Sequence, residues 1–182
     1  MFNLLCLFSL PSLGPKRLLA SGKASIVPEK SALFICLGNI CRSPIAEAVC
    51  KKVVVDLGVS NRWHIDSAAI GPWHVGNPPD PRAISTLKAH GLSTQHRARQ
   101  LSTEDFRKFD YIFGMDEENM DALKTRTPKD SKAECLLLGS FDPSGETIIR
   151  DPYYDRGDAG FEKCYQQCVS SCTEFIKKIH EK

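Results

Sequence analysis

The amino-acid sequence predicts an α/β protein with a four-stranded parallel sheet, doubly wound and flanked by helices. A short, almost wholly apolar run at 31–37 (SALFICL) is typical of a strand that is covered on both faces. Strand-like and helix-like patterns then alternate along the chain, which favours right-handed crossovers and parallel pairing. The chain has 182 residues, of which 42% are hydrophobic and 25% charged, and this is enough to bury one such domain.

The strand at 31–37 leads into a helix. Gly38 and Asn39 end the apolar run, and Ser43 is predicted to be the N-cap of the helix. Pro44 is then the first helical residue, and Glu47 lies in the first turn. Apolar residues recur at a helical period, at Ile45, Val49, Val53 and Leu57.

The rest of the chain continues the alternation. Further strands are predicted at 62–69, 110–115 and 134–141. Further helices are predicted at 81–90, 102–108, 116–125 and 158–178. Pro81 begins the first of these helices, and Ser102 is predicted to cap the second. Ligands of such sheets bind beyond the carboxyl ends of the strands, so the loop after the first strand lies where a ligand is expected.

The first thirty residues differ from the rest in charge. Residues 1–30 carry four basic residues and one acid, whereas residues 31–182 carry 20 basic and 21 acidic residues. The apolar run at 4–10 is too short to cross a bilayer, and the basic residues follow it instead of preceding it as in a secretory signal. Pro11 and Pro15 would interrupt the helix of a mitochondrial presequence. We therefore expect an N-terminal extension at 1–30, disordered or targeting, and one domain at 31–182.

The chain has eight cysteines, and their spacing argues against a disulfide framework. Cys164, Cys168 and Cys172 recur every four residues, which places them on one face of a helix as small buried hydrophobic residues. A zinc site would need further ligands, and only His180 continues the same step along the helix. Since the chain has neither a CxxC nor an HxxxH pair, we expect no metal and a reduced, cytoplasmic protein.

The segment between the first strand and the first helix is the most informative. Cys36 ends the strand, five residues follow, and Arg42 and Ser43 lie at the start of the helix. Such a turn can wrap its backbone N–H groups around a tetrahedral oxyanion, with Gly38 and Asn39 supplying unusual backbone angles. Arg42 can hold two phosphate oxygens, and the same positive surroundings favour a nucleophilic thiolate at Cys36. The alternative is a structural cysteine beside a surface arginine, which the position before a Ser-Pro helix start disfavours.

Two segments resemble those of the low-molecular-weight protein tyrosine phosphatases of the eukaryotic acid phosphatase type: CLGNICRSPIAEAV at 36–49 and DPYYD at 151–155. The similarity runs from about residue 32 to the C-terminus, and it includes DSAA at 66–69, NPPDPRA at 77–83, ARQ at 98–100, MDE at 115–117 and YQQCV at 165–169. The resemblance implies a phosphatase domain at 31–182 that hydrolyses phosphotyrosine in proteins and small aryl phosphates without a cofactor. It implies a phosphate-binding loop formed by Leu37, Gly38, Asn39, Ile40, Cys41 and Arg42.

The resemblance also implies the catalytic roles. Cys36 would attack phosphorus and form a phosphocysteine, while Arg42 binds the equatorial oxygens. Asp151 would protonate the leaving phenol and then activate water, which the chemistry requires because a phenoxide leaves poorly. Ser43 would donate a hydrogen bond to the thiolate. Asp155 stands where many relatives have glycine, and this departure does not touch the reaction.

Further residues match supporting positions of that family. Asn39, Ser67 and His96 would hydrogen-bond together and hold the loop in shape, and Asp116 would orient Arg42. Without the resemblance, His96 is an ordinary surface or core histidine and Asp116 an acid at a helix N-terminus.

The resemblance places Trp73, His74, Tyr153 and Tyr154 in the walls of a crevice that selects aromatic substrates. The alternative for Trp73 is a loop tryptophan packed onto the core. Tyr153 and Tyr154 also match positions that are phosphorylated in relatives. Cys36 and Cys41 match a pair that closes into a disulfide under peroxide and protects the nucleophile.

Other functions fit the sequence less well. An arsenate reductase of the same fold needs further thiols in the middle of the chain, but no cysteine lies between Cys50 and Cys135. A non-catalytic phosphate-binding module would be expected to lack Cys36, Arg42 or Asp151, and a flavodoxin-like redox protein would lack the thiol and the acid. The net-acidic domain argues against nucleic acid as a partner. We expect no membrane span and a monomer or weak dimer.

Overall fold

The computed structural model describes residues 29–180, and its elements follow the predicted alternation. The strands are Lys30–Cys36 (β1), Trp63–Ala69 (β2), Tyr111–Gly114 (β3) and Glu134–Leu137 (β4). The helices are Arg42–Asp56 (α1), Pro81–Ala89 (α2), Asp105–Lys108 (α3), Glu117–Arg126 (α4) and Ala159–His180 (α5). Most of the extension predicted at 1–30 lies outside the described residues. No helix within 29–180 is long and apolar enough to cross a membrane.

The four strands form one parallel sheet in the order β2-β1-β3-β4, which confirms the predicted fold class. Strand β1 lies inside the sheet, and its residues alternate between two buried clusters. Leu33 and Ile35 face α3 and α4, whereas Ala32 and Phe34 face α1 and α5. This burial on both faces explains why the sequence of β1 is almost wholly apolar.

Cysteines fill much of the interface between α1 and α5. Cys164, Cys168 and Cys172 lie on the buried face of α5, and Cys50 lies on the buried face of α1. All four are free thiols. The prediction that the stripe on α5 is buried is therefore confirmed.

Helix α1 begins earlier than predicted. It starts at Arg42, with Cys41 at the N-cap position and no side-chain capping bond, so the prediction of Ser43 as N-cap is wrong. The hydroxyl of Ser43 is engaged with the side chains of Cys36 and Asn39 instead. The earlier start also moves Glu47 out of the first turn, where the structure has no acid.

The bounds of other elements also differ. The fourth strand ends at Leu137, because Leu138–Phe141 form a short 3₁₀ helix. Ser102 does not cap α3, which begins at Asp105, since its hydroxyl donates to the Asp105 carboxylate instead. At the end of α1, Leu57 is exposed because the helix closes there.

Candidate active site

The loop after β1 is built around one strained residue. Asn39 has a φ of 56°, the only positive value for a non-glycine residue within 29–180. This conformation turns the chain back, so that the Asn39 N–H donates to Cys36 Sγ at 3.2 Å. Four other loop N–H groups donate to no acceptor in the described part of the chain: those of Leu37, Gly38, Ile40 and Cys41. With the start of α1 they form a concave set of donors suited to an oxyanion.

Cys36 lies at the base of this loop and is only 3% exposed. Its Sγ lies 3.1 Å from Ser43 Oγ. Because Ser43 Oγ already accepts from Asn39 Nδ2 at 2.8 Å, its proton is free to point at the sulfur. Two donors therefore lie against the sulfur, the Asn39 N–H and the Ser43 hydroxyl.

Arg42 places a buried guanidinium beside the loop. One terminal nitrogen donates to the Asp116 carboxylate and, at 3.1 Å, to the carbonyl oxygen of Ile149. The other donates to Asp151 Oδ2 at 2.8 Å. Burial alone would lower the pKa of Arg42, but Cys36 and the two carboxylates outweigh burial and raise it above its ordinary value. Its Nε–H has no acceptor among the described residues, so this donor is available to a bound anion.

A closed ring of hydrogen bonds supports the strained turn. Asn39 Nδ2 donates to Ser67 Oγ at 2.9 Å, and Ser67 Oγ donates to Glu47 Oε2 at 2.6 Å. Glu47 Oε2 lies 3.1 Å from His96 Nδ1, and His96 Nε2 lies 2.8 Å from Asn39 Oδ1. The ring ties the loop to α1, β2 and the segment after α2, which fixes the turn from three directions.

Both ring nitrogens of His96 lie next to side-chain oxygens, those of Glu47 and Asn39. Asn39 Oδ1 accepts the backbone N–H of Arg99 at 3.0 Å, which identifies it as the carbonyl oxygen of the amide. Both nitrogens of His96 therefore face acceptors. Burial alone would raise the pKa of Glu47, but hydrogen bonds from His96, Lys51 and Ser67 outweigh it and lower the pKa to about 2.

This shift makes the contribution of Glu47 to stability dependent on pH. The pKa of Glu47 is lower in the folded protein than its ordinary value of 4.5. The contribution is therefore complete above about pH 4.5 and is lost as the pH falls toward 2. We expect Glu47→Gln to lower the free energy of unfolding by about 2–3 kcal/mol at pH 7 and by much less near pH 3. Urea unfolding at both pH values measures this.

The exposed acid Glu118 on α4 offers the control, since Glu118→Gln should change stability little at either pH. A destabilisation by Glu47→Gln of equal size at pH 7 and pH 3 would contradict the role assigned to the carboxylate. Glu47→Gln should also lower the activity that the resemblance implies at pH 7, because the turn at Asn39 loses one of its supports.

The segment that carries Asp151 is fixed onto α2. Asp151 Oδ1 accepts the N–H of Tyr153 at 3.0 Å, which orients the carboxylate. Arg82 donates to the carbonyl oxygens of Tyr153 and Asp155 at 3.0 and 2.9 Å, and it is itself paired with Asp80. The segment 151–155 is therefore held on a helix that begins next to the loop.

A pocket of about 340 Å³ opens above the loop. It is lined by Cys36, Leu37, Gly38, Ile40, Cys41, Trp73, His74, Asp151, Tyr153 and Tyr154. Trp73 is 67% exposed and Tyr154 is 85% exposed, so Trp73 is not packed into the core. A Cβ at Gly71 would lie 1.7 Å from the Trp73 ring, so only glycine lets the ring lie this close to the backbone. The pocket has a donor-rich floor and aromatic walls, which suits a flat aromatic ring that carries an anion.

The other predicted site residues lie beneath this pocket or beside it. Ser43 lies against the sulfur, Arg42 donates to Asp151 in the pocket lining, and the ring of hydrogen bonds contains Asn39, Ser67 and His96. Asp116 both accepts from Arg42 and caps α4 through Asn119 N–H, so both alternatives considered for it apply.

Sequence reasoning missed two residues near the site. Glu47 was assigned to a helix terminus, although its spacing of four residues from Ser43 places both on one face of α1. Arg82 gave no signal, because its partners at 153 and 155 are some seventy residues away. The unusual Asp155 pairs with Arg150 and lies outside the pocket lining.

One group of side chains could hold a metal ion by distance alone. Ligand atoms of Glu47, Asp66 and His96 lie within 4.8 Å of one another. Each is already engaged: Glu47 with His96 and Ser67, and Asp66 with Arg99. The two carboxylates are therefore already hydrogen-bonded within the protein, without a metal ion.

The parallel sheet with an oxyanion loop at its carboxyl edge defines a class, the α/β proteins that bind an anion beyond the first strand. The family model for low molecular weight phosphotyrosine protein phosphatase matches residues 31–182. The phosphatases of that name from Sus scrofa and Drosophila melanogaster (phosphatase 1) are both 55% identical, cover 82% and 84% of this chain, and are matched over 96% and 99% of their own length. The crystal structure of Primo-1 is 56% identical with a TM-score of 0.80, and the match covers 82% of this chain and 97% of that one.

The chain therefore belongs to the low-molecular-weight phosphotyrosine protein phosphatases. This confirms the family that the sequence motifs indicated.

Proposed function

We propose that the protein hydrolyses phosphotyrosine in proteins and small aryl phosphates through a phosphocysteine at Cys36. The observation that carries this proposal is the set of unpaired donors around the sulfur. The loop N–H groups and Arg42 Nε–H have no acceptor within residues 29–180, and the oxygens of a phosphoryl group would supply them. A phosphorus atom held by these donors lies within reach of Cys36 Sγ.

The reaction then has two steps. In the first, the Cys36 thiolate bonds to phosphorus, the P–O bond to the phenol breaks, and Asp151 donates its proton to the leaving oxygen. In the second, Asp151 takes a proton from water, the hydroxide oxygen bonds to phosphorus, and the P–S bond breaks. Inorganic phosphate and the thiolate are released. Ser43 stabilises the departing thiolate, and Arg42 binds the oxygens on which charge builds.

The role of Asp151 is tested through the leaving group. A phenol with a high pKa needs its proton during P–O cleavage, whereas a nitrophenolate leaves without it. We expect Asp151→Asn to slow phosphocysteine formation by about 10²–10⁴-fold for phenyl phosphate and much less for activated aryl esters. The measurement is the burst rate in single-turnover experiments, plotted against leaving-group pKa. The variant should give the steeper negative slope.

Asp158→Asn is the matched control, since Asp158 is exposed and lies outside the pocket lining. Its plot should run parallel to that of the wild type. Parallel plots for Asp151→Asn as well would mean that Asp151 only shapes the pocket, and the acid would have to be another carboxylate.

Cys41 fits the role of a protective thiol. It is buried in the same pocket, and burial and the nearby Cys36 raise its pKa, so it stays protonated beside the nucleophile. Peroxide would oxidise the Cys36 thiolate to a sulfenic acid, and Cys41 would displace water to form a disulfide. We expect reversible inactivation, restored by dithiothreitol, with the Cys36–Cys41 linkage found by peptide mapping. Sulfinic acid at Cys36 with Cys41 still free would contradict this role.

The proposed chemistry and the family match also bear on the cellular compartment and on the domain boundaries. Because a thiolate nucleophile needs reducing surroundings, we assign the activity to the cytoplasm. The family match begins at residue 31, which supports a catalytic domain at 31–182 and a separate extension at 1–30.

A further inference from the structure

A second hollow adjoins the candidate pocket. It measures about 480 Å³ and shares Ile40, His74 and Tyr153 with the pocket. Its remaining lining consists of Asn77, Pro78, Pro79, Asp80, Pro81 and Ile84. The ring centroids of His74 and Tyr153 lie 6.5 Å apart, and these two side chains form a wall that the two sites have in common.

The segment 78–81 of the hollow offers no free backbone hydrogen-bond donor. Three of the four residues at 78–81 are prolines, which have no N–H group. The fourth, Asp80, uses its N–H to donate to the carbonyl oxygen of Ile40 at 2.8 Å. Ile84 completes the lining and is 40% exposed on α2, so an apolar surface faces solvent there.

The charges at the edge of the hollow are neutralised within the protein. The Asp80 carboxylate accepts from the backbone N–H of Arg82 and from its guanidinium at 2.8–3.0 Å. Arg82 in turn uses four of its five N–H donors on Asp80, Tyr153 and Asp155. A second phosphate or an acidic side chain would find no lysine or arginine among the residues that line the hollow, whereas an apolar side chain loses nothing by entering.

We propose that this hollow binds an apolar side chain of the substrate peptide, near the phosphotyrosine, and so selects among phosphoproteins. The inference rests on the proposed function, since it requires the tyrosine ring to occupy the pocket. In an extended peptide, side chains two positions apart lie on the same side at a separation of about 7 Å. A residue two positions from the phosphotyrosine therefore reaches over the wall of His74 and Tyr153 into the hollow.

The test uses phosphotyrosine peptides with a Gly-Ser background. Leucine, serine or glutamate is placed in turn at each position from three residues before the phosphotyrosine to three residues after it. We expect leucine at one position, two residues away on one side, to raise kcat/KM about tenfold over serine, and glutamate to give no gain. No preference for leucine at any position, or a preference for glutamate, would overturn the proposal.

Ile84→Ser assigns the preference to the hollow. It should reduce the ratio of kcat/KM for the leucine and serine peptides to below about threefold. The matched control is Val55→Ser, at a 59% exposed apolar position on α1 outside both linings, and it should keep the full ratio. An unchanged ratio in Ile84→Ser would overturn the proposal.

Turnover of phenyl phosphate by the wild-type protein separates this result from the proposed function. If phenyl phosphate is hydrolysed and no leucine preference exists, only the subsite is wrong. If neither phenyl phosphate nor any phosphopeptide is hydrolysed, the proposed function fails, and the subsite with it.

Discussion

In Cys36→Ser we expect aryl phosphate turnover to fall by at least about 10⁴-fold while inorganic phosphate still binds. The two groups in contact with the sulfur are the Asn39 N–H and the Ser43 hydroxyl, and neither can act as a base toward a serine. A serine hydroxyl at this place would therefore stay protonated and unreactive. Phosphate binding should persist, because the loop N–H groups and Arg42 are unchanged. Initial-rate assays and calorimetric phosphate titration measure both effects.

Cys135→Ser is the control for this substitution, since Cys135 is a half-buried free thiol on β4 outside the pocket lining. It should leave turnover close to that of the wild type. Residual activity in Cys36→Ser above about one hundredth would be incompatible with a phosphocysteine at this residue.

The second large effect concerns Arg42. We expect Arg42→Lys to lower kcat/KM by at least about 10²-fold although the charge is kept. The guanidinium serves Asp116, Asp151 and the Ile149 carbonyl with its terminal nitrogens and leaves Nε–H for the anion. A lysine has one nitrogen with three donors and cannot reach all of these groups together. Steady-state kinetics and thermal unfolding should be measured on the same preparation.

Arg99→Lys is the matched control for loss of a bridging guanidinium. Arg99 also joins two carboxylates, those of Asp66 and Asp105, but it lies outside the pocket lining. Arg99→Lys should lower the free energy of unfolding and leave most of the activity unchanged. If Arg42→Lys kept a tenth or more of wild-type kcat/KM, Arg42 would act only as a distant charge.

Much of the fold could be predicted from local pattern alone. Strand β1 is apolar throughout because both of its faces are covered, and α2 has proline at its first position and glycine just past its end. Signals of this kind lie within a few residues of the element that they define. The oxyanion loop was predictable for the same reason, since Cys36 and Arg42 lie at the two ends of a single turn.

The rest of the site depends on contacts that no local pattern encodes. Serine is a common N-cap residue, but the Ser43 hydroxyl accepts a hydrogen bond from Asn39 in the preceding turn. Helix α1 therefore begins one residue before Ser43, at Arg42. Glu47 and His96 meet only because α1 and the segment after α2 converge at the loop. The position of Arg82 against segment 151–155 follows from the packing of α2, which sequence periodicity does not specify.

The buried thiols between α1 and α5 can report how often these two helices separate in the native enzyme. Cys50, Cys164, Cys168 and Cys172 are free and at most 1% exposed, so a chromogenic disulfide reagent meets them only when the two helices separate. In a Cys6→Ser/Cys135→Ser variant, with the pocket occupied by phosphate, their labelling rate in native buffer then follows the population of that opened form. The equilibrium between the packed and the separated state of α1, the helix that follows the catalytic loop, can thus be measured by absorbance through the protein's own cysteines.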